Sequence, residues 1–184
     1  MNVLINLVAF KVAWVSTIFG GANGLPFIGP LAVAVAVTIH LWFAPIPRRE
    51  LALILLTGAI GLVWDSALVS AGWLAYPTGN FIAGLAPYWI LGMWMLFATT
   101  LNVSFRWLRS RLVLAAMMGA VFGPLSYFAG SSAGAVTLLQ PVPALISLSL
   151  AWAMLMPGLI VLARSLDGTQ ALDGAQAAPV GSRV

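Results

Sequence analysis

Three ionisable residues fall inside long apolar stretches of the sequence, namely Lys11, His40 and Asp65. A charge at the centre of a bilayer costs about 3 kcal/mol on insertion scales, so such residues usually have a partner and mark a candidate functional site. Lys11 and Asp65 have opposite charges, and counting ~1.5 Å per helical residue puts their backbones within ~10 Å of each other in depth. Three interpretations stay open: an ion pair that only joins two helices, a site for a substrate or a proton, and two residues that never meet.

The other chemistry that these residue types allow is narrow. The chain has one histidine, no cysteine, and only Asp65 as a carboxylate inside the apolar stretches. A protein metal site of the zinc type needs three or four ligands, so we expect no metal site. A haem with two histidine ligands from one chain is excluded as well, because the chain has one histidine. A catalytic pair of carboxylates is excluded too, and we expect neither a catalytic residue nor a cofactor. His40, close to Trp42 and about one turn from the end of its stretch, is predicted to be a hydrogen-bonded packing residue.

Small residues accompany Asp65 on one face of its predicted helix. Gly58, Gly61 and Asp65 follow one another at steps of three and four residues, which is the spacing of neighbours on a helix surface. Small residues let a second helix approach closely, so Asp65 is predicted to point into the protein. Other residues predicted to join helices by packing or hydrogen bonds are Asn6, Asn102, Gly123, Ser126 and Tyr127.

The composition explains which elements must position these residues. Apolar residues make up 62% of the 184 residues and charged residues only 7%, whereas a soluble domain carries about 25% charged residues. Spanning helices need roughly 20 apolar residues each, and the backbone in lipid must satisfy its own hydrogen bonds. The sequence predicts an all-α bundle of six transmembrane helices, at about 3–20, 27–44, 51–71, 85–102, 112–129 and 141–163.

The arginines indicate how the bundle is oriented. They lie in the second and fourth connections and after the sixth apolar run, while the first, third and fifth connections contain no lysine or arginine. Positive residues stay on the cytoplasmic side, so both termini are predicted to be cytoplasmic, with residues 165–184 as a disordered cytoplasmic tail. The arginines are either topology determinants only or contacts for anionic lipid or a partner: Arg48, Arg49, Arg106, Arg109 and Arg111.

Short motifs are spread over nearly the whole chain, to about Arg164. They are Asn6-Leu7 with Trp14, Arg48-Arg49-Glu50-Leu51, Asp65-Ser66 with Gly72, Trp94, Thr100-Leu101-Asn102 with Trp107-Leu108, Gly123-Pro124-Leu125-Ser126-Tyr127 with Gly130, and Gly134-Ala135. As a set, these motifs resemble a family of small bacterial inner-membrane proteins of unknown function. The resemblance implies a multi-pass protein of the bacterial inner membrane. Members of that family are often encoded beside cyclopropane-fatty-acid-synthase-like enzymes, which implies a role in membrane lipid modification or in the response to lipid damage.

Three functions remain open at this point. The first is an accessory or scaffold protein in lipid modification, with membrane lipids and a lipid-modifying enzyme or a second copy of the chain as partners. The second is a small proton-coupled transporter that uses Asp65. The third is an intramembrane lipid-modifying enzyme, against which the scarcity of paired acid and base groups counts. Nucleic acid is not expected as a partner, because the arginines form short clusters between apolar runs.

Overall fold

In the computed structural model, which describes residues 1–170, the regular secondary structure is helical apart from one pair of two-residue strands. The strands β1 (Leu74–Ala75) and β2 (Thr137–Leu138) pair antiparallel. A 3-10 turn covers Arg106–Leu108. The all-α class predicted from the sequence is confirmed. The helices are α1 (Val3–Ala22), α2 (Ile28–Trp42), α3 (Pro47–Ser70), α4 (Tyr88–Leu101), α5 (Leu112–Ser132) and α6 (Pro141–Ser165).

Four helices of the described chain are long and apolar enough to cross a membrane, which is the character expected of a membrane protein. They are α1, α3, α5 and α6, with 20, 24, 21 and 25 residues. Helices α2 and α4 have 15 and 14 residues, so at ~1.5 Å per residue each is only about 21–22 Å long. The hydrocarbon core of a bilayer is roughly 30 Å thick. The stretches 27–44 and 85–102 were therefore predicted longer than the helices that form.

Prolines account for the short helices. Helix α2 ends at Trp42, shortly before Pro45 and Pro47, and the residue before a proline is disfavoured in the helical conformation. Helix α4 begins directly after Pro87, whose backbone is extended. Pro47 is instead the first residue of α3, a position where its missing N–H costs nothing.

The six helices alternate in direction, because one end of the bundle collects the start of each odd helix and the end of each even one. The Asn6 amide donates to the Thr99 carbonyl at 3.0 Å, which joins the start of α1 to the end of α4. Glu50, in the first turn of α3, accepts from Asn102 after α4. A histidine in the last turn of α2 also contacts Glu50. Asp167, after α6, pairs with arginines that precede α5. We call this the arginine end; its arginines are Arg48, Arg49, Arg106, Arg109, Arg111 and Arg164.

The opposite end is closed by the connection between α3 and α4. This segment, residues 71–87, contributes β1, and the connection between α5 and α6 contributes β2. The Thr78 hydroxyl donates to the Gly21 carbonyl at 2.8 Å, and the Ala86 N–H donates to Ser66 Oγ at 3.1 Å. Ser66 lies more than one turn before the end of α3. The segment therefore reaches down between the helices, which the sequence did not indicate.

Glycines set the closest helix contacts. A methyl group at Gly61 of α3 would overlap the Trp94 ring of α4, and one at Gly123 of α5 would overlap the Trp152 ring of α6. Close packing of this kind is what small residues permit between helices in lipid. It brings α3 onto α4 and α5 onto α6, so the two tryptophan rings meet in the centre of the bundle, with centroids 4.7 Å apart.

The chain after α6 does not begin as the disordered tail that was predicted from residue 165. Residues 166–169 pack on the arginine end, where the Gly168 N–H donates to Glu50 Oε1 at 2.7 Å. The Ile46 N–H donates to the Gly168 carbonyl at 2.9 Å. Hydrogen bonds to buried groups, together with the packing of Leu166 against the apolar core, order this short piece. The rest of the predicted tail, residues 171–184, lies outside the described residues.

Candidate functional site

Asp65 is a fully buried carboxylate held by three neutral donors. The Tyr76 hydroxyl donates to Oδ1 at 2.7 Å, and the Trp94 indole N–H donates to Oδ2 at 2.7 Å. The Tyr127 hydroxyl lies 2.9 Å from both oxygens. The donors come from the 71–87 segment, from α4 and from α5. Asp65 thus joins three other elements to α3, without an ion pair to any lysine or arginine among residues 1–170.

Of the three interpretations left open for Lys11 and Asp65, the ion pair does not form in this structure, because Lys11 does not reach Asp65. Helix α1 packs on α2 and α4, while α3 packs chiefly on α4, and α4 therefore separates the two residues. The Lys11 side chain is exposed. Its Nζ lies 5.1 Å from the centre of the Trp14 ring, within the range of a cation–π interaction.

An apolar cleft of about 570 Å³ opens between α1 and α5. Its volume is in the range of small-molecule binding sites, which run from about 300 to 1,000 Å³. Helix α4 and the Trp152 ring of α6 form its floor. Exposed residues on the rim, such as Phe122 at 60%, show that the cleft is open to the outside of the bundle. Its walls include Phe10, Lys11 and Trp14 on α1 and Phe122, Ser126, Tyr127 and Ala129 on α5.

The three side chains that donate to Asp65, which we call the Asp65 cage, also line the cleft. Tyr76, Trp94 and Tyr127, the three donors to Asp65, all line the cleft as well. The carboxylate therefore lies one side chain behind the cleft wall and fixes the orientation of three of its rings. The Trp152 ring stacks on Trp94 with an interplanar angle of 11°, an offset geometry that aromatic pairs favour. The result is a rigid aromatic floor built around one buried acid.

Most polar groups of the cleft are occupied, although the buried indole N–H of Trp152 has no hydrogen-bond partner among the described residues. The Ser126 hydroxyl donates to the Gly123 carbonyl at 2.7 Å. The Ala120 carbonyl, which loses its helical donor because Pro124 has no N–H, accepts from the Ser149 hydroxyl at 2.9 Å. The two tyrosine hydroxyls donate to Asp65. Among the described lining residues, Lys11 is the one charged side chain, and it is not paired with a carboxylate. The cleft is thus an apolar surface with a single cation at its edge.

A second polar network lies at the arginine end, around Glu50. His40 Nε2 lies 2.7 Å from Glu50 Oε2. The Asn102 amide donates to Glu50 Oε1 at 2.7 Å, as does the backbone of Gly168. His40, Glu50 and Asn102 are each at most 2% exposed. This arrangement clamps the ends of α2, α3 and α4 to the chain after α6 and leaves Glu50 no room for a ligand.

Asp167 extends this network to two arginines. It lies 2.8 Å from Arg109 and 3.3 Å from Arg106, and Arg109 also donates to Asn102 Oδ1 at 2.6 Å. Partial burial would raise the pKa of Asp167, but hydrogen bonds from Thr169 and the Arg109 charge outweigh it and lower that pKa below its usual range. Two of the five predicted lipid- or partner-contacting arginines are therefore engaged within the chain. Arg48, Arg49 and Arg111 are exposed.

The other residues singled out in the sequence join helices. The Asn6 oxygen accepts from the Ser104 hydroxyl at 2.5 Å, in addition to its bond to α4. Gly58 allows the side chains of Leu91 and Met95 on α4 to approach α3. Within residues 1–170, no three histidine, aspartate or glutamate side chains come together as a metal site would require.

Four site residues were missed in the sequence: Tyr76, Trp94, Glu50 and Asp167. Glu50 looked like part of a charged connection, and the signal that could have found it is its neighbour Pro47, which marks a helix start. Trp94 had a weaker signal, which is the glycine pair Gly58 and Gly61: small residues on one helix leave space for a large ring from another. Tyr76 and Asp167 lie in irregular segments, where no periodicity indicates their partners.

One family model matches the chain, described as "Protein of unknown function (DUF2878)", over residues 3–158. The match extends from the start of α1 into the second half of α6. Neither a curated protein nor a solved structure matches the chain significantly.

Proposed function

The chain belongs to the DUF2878 family, a family of unknown function, and we propose from its geometry that it is an integral membrane protein that binds the hydrocarbon chain of a lipid in the cleft between α1 and α5. The observation that carries this proposal is the apolar cleft of about 570 Å³ with its fixed aromatic floor. Aromatic and aliphatic linings are typical of pockets for apolar ligands. The Asp65 cage supports the proposal because it holds the floor rigid without exposing an anion.

The outer surfaces beside the cleft support access from the lipid phase. Val12 and Val15 on α1 are 60% and 54% exposed, and Val121 on α5 is 53% exposed. Large exposed apolar surfaces of this kind are rare on soluble proteins and are natural in hydrocarbon. A chain in the surrounding bilayer can then enter between α1 and α5 without crossing water.

The arginine end supports a topology of six crossings with both termini in the cytoplasm of a bacterium, across its inner membrane. Its arginines face one side, in agreement with the positive-inside rule. Trp42 and Trp107, at the same end, are 84% and 47% exposed, as expected for rings at the headgroup level. For the short α4, Ala86 and Pro87, which are buried directly before its first residue, lengthen the crossing, because irregular backbone is acceptable in the membrane where protein encloses it.

An accessory role in lipid modification fits the cleft better than the other two functions. Lys11 is the only charged residue lining it within the described chain, so an acid–base pair for an intramembrane enzyme is not at hand. A proton carrier needs a carboxylate that can exchange its partners, whereas both oxygens of Asp65 accept short hydrogen bonds. Holding a lipid chain for a lipid-modifying enzyme, or between two copies of this chain, requires only binding.

The proposal is tested by filling the cleft. Ala129 is an exposed residue of its α5 wall, and Ala129→Trp puts a large ring where the chain would lie. Ala59, exposed on α3 and outside the cleft, provides the matched control Ala59→Trp. A photoreactive probe with a diazirine in a sixteen-carbon alkyl chain is crosslinked to each purified protein in nanodiscs.

We expect crosslinking to residues of α1 and α5 in the wild type and in Ala59→Trp. In Ala129→Trp, the yield should fall at least ~tenfold, which corresponds to about 1.4 kcal/mol of binding. Equal yields in the two tryptophan variants, or crosslinks spread evenly over all helices, would refute a specific chain-binding cleft.

A further inference from the structure

Lys11 is a cation within a membrane helix whose charge the described chain does not neutralise. It is the ninth residue of α1, about 12 Å along the axis from the first residue. The three carboxylates of residues 1–170 are each engaged elsewhere: Glu50 by His40 and Asn102, Asp65 by its cage, and Asp167 by arginines. An unpaired charge at this depth is costly, and such residues usually face a partner or a ligand.

The position of Lys11 is suited to a ligand in the cleft. It lines the α1 wall, and the Trp14 ring holds its ammonium group by a cation–π contact at 5.1 Å. The cation–π contact leaves the N–H groups of the ammonium available to an acceptor. Among the neutral polar side chains that share the lining, Ser126, Tyr76 and Tyr127 already donate to other residues, whereas the buried indole N–H of Trp152 has no partner within residues 1–170. Lys11 is the one charged side chain of the described lining, and therefore the group that would recognise the charged part of a bound amphiphile.

From this juxtaposition we infer that the ligand is a long-chain carboxylate, with its hydrocarbon chain in the cleft and its carboxylate on Lys11. This inference rests on the proposed function and names its ligand class. One cation in the lining matches a single negative charge, whereas a phosphate monoester would leave a second charge uncompensated in an apolar site. The depth of Lys11 favours a single-chain acid, because a phospholipid keeps its phosphate in the headgroup layer.

The test compares three probes that share one alkyl chain: hexadecanoate, hexadecan-1-ol and hexadecyl phosphate. Each competes with the photoreactive probe for the wild type and for Lys11→Met, Lys11→Arg and Arg111→Met in nanodiscs at neutral pH. Lys11 and Arg111 are both exposed, so neither change disturbs the core. Arg111 lies outside the cleft and controls for a general loss of positive charge.

In the wild type, hexadecanoate should bind about tenfold more tightly than hexadecan-1-ol, the size expected of a charge-assisted hydrogen bond. Lys11→Met should abolish this preference, while Lys11→Arg and Arg111→Met should retain it. The inference is overturned if the acid and the alcohol bind equally to the wild type, if Lys11→Met keeps the preference, or if hexadecyl phosphate binds most tightly. In each of those cases, loss of probe binding in Ala129→Trp would still support the cleft itself, so the two failures are distinguishable.

Discussion

Replacement of Asp65 by alanine tests whether this carboxylate holds the cleft together. Asp65→Ala leaves the hydroxyls of Tyr76 and Tyr127 and the indole N–H of Trp94 without their acceptor. Each buried donor that loses its partner costs about 1–3 kcal/mol, so the free energy of unfolding should fall by about 3–9 kcal/mol. The loss is large because the three donors come from three separate elements, which no longer share an anchor.

The assay is unfolding in mixed micelles of a mild detergent and dodecyl sulfate, followed by tryptophan fluorescence. Tyr127→Phe serves as the partner variant, because it removes one donor and leaves Asp65 two others. In a Tyr127→Phe background, Asp65→Ala should cost about 1 kcal/mol less than in the wild type, since one donor fewer is orphaned. The difference between the two Asp65→Ala effects reports the hydrogen bond between Tyr127 and Asp65, because the general effect of truncating a buried side chain is the same in both backgrounds.

Lys11 supplies the control that separates this arrangement from an ion pair. If Lys11 were the partner of Asp65, Lys11→Met would lower the free energy of unfolding in the wild type but not in the Asp65→Ala background, where the pair is already broken. The geometry instead predicts additive effects, because α4 lies between the two residues. The cage is refuted if Asp65→Ala changes the free energy of unfolding by less than about 1 kcal/mol, or if it couples to Lys11→Met more strongly than to Tyr127→Phe.

Three further outcomes follow from the packing, the arginine end and the orientation. Gly61→Ala should lower the free energy of unfolding by about 1–3 kcal/mol, because the new methyl group overlaps the tryptophan ring of α4 and overpacking of a core costs about that much. The control is Gly158→Ala, whose methyl group would lie in open space on α6; it should be neutral or slightly stabilising in the same assay. Asp167 has a lowered pKa, so its stabilising contribution is present above the unfolded pKa and is lost as the pH falls towards the folded value; Asp167→Asn should flatten the acid side of the stability profile, and an unchanged profile would contradict the pairing. Because the chain has no cysteine, Pro77→Cys and Ser110→Cys give single labels: an impermeant maleimide should reach the first from outside intact cells and the second only after permeabilisation, and the reverse would invert the proposed orientation.

The parts of the fold that could be predicted from sequence are those governed by the solvent. A run of apolar residues in hydrocarbon must form a helix, so six helices and the grouping of the arginines could be read from the chain. Helix ends were harder, because Pro47 starts α3 while Pro45 and Pro47 together end α2. The same residue type begins one helix and stops another, and only the packing decides which.

The site could be predicted only in part, because its contacts link distant positions. The face shared by Gly61 and Asp65 pointed inward, as the three-and-four spacing indicated. The donors to Asp65 lie 11, 29 and 62 residues further along the chain, and a hydrogen bond over such separations leaves no periodic signal. Tyr76 is harder still, since it belongs to an irregular segment that reaches into the bundle.

The separation of Lys11 from Asp65 has a consequence for binding that an ion pair would remove. Had the two residues met, the lysine would have been neutralised and the cleft would hold no charge for a ligand. Instead the acid is buried behind the wall, where three neutral donors satisfy it, and the cation stays at the edge of the cleft beside Trp14. An anion exposed in the cleft would repel a carboxylate, whereas a shielded one orders the aromatic floor and leaves the attraction of Lys11 intact. The opposite charges therefore serve different tasks: Asp65 fixes the shape of the cleft, and Lys11 selects the charge of what enters it.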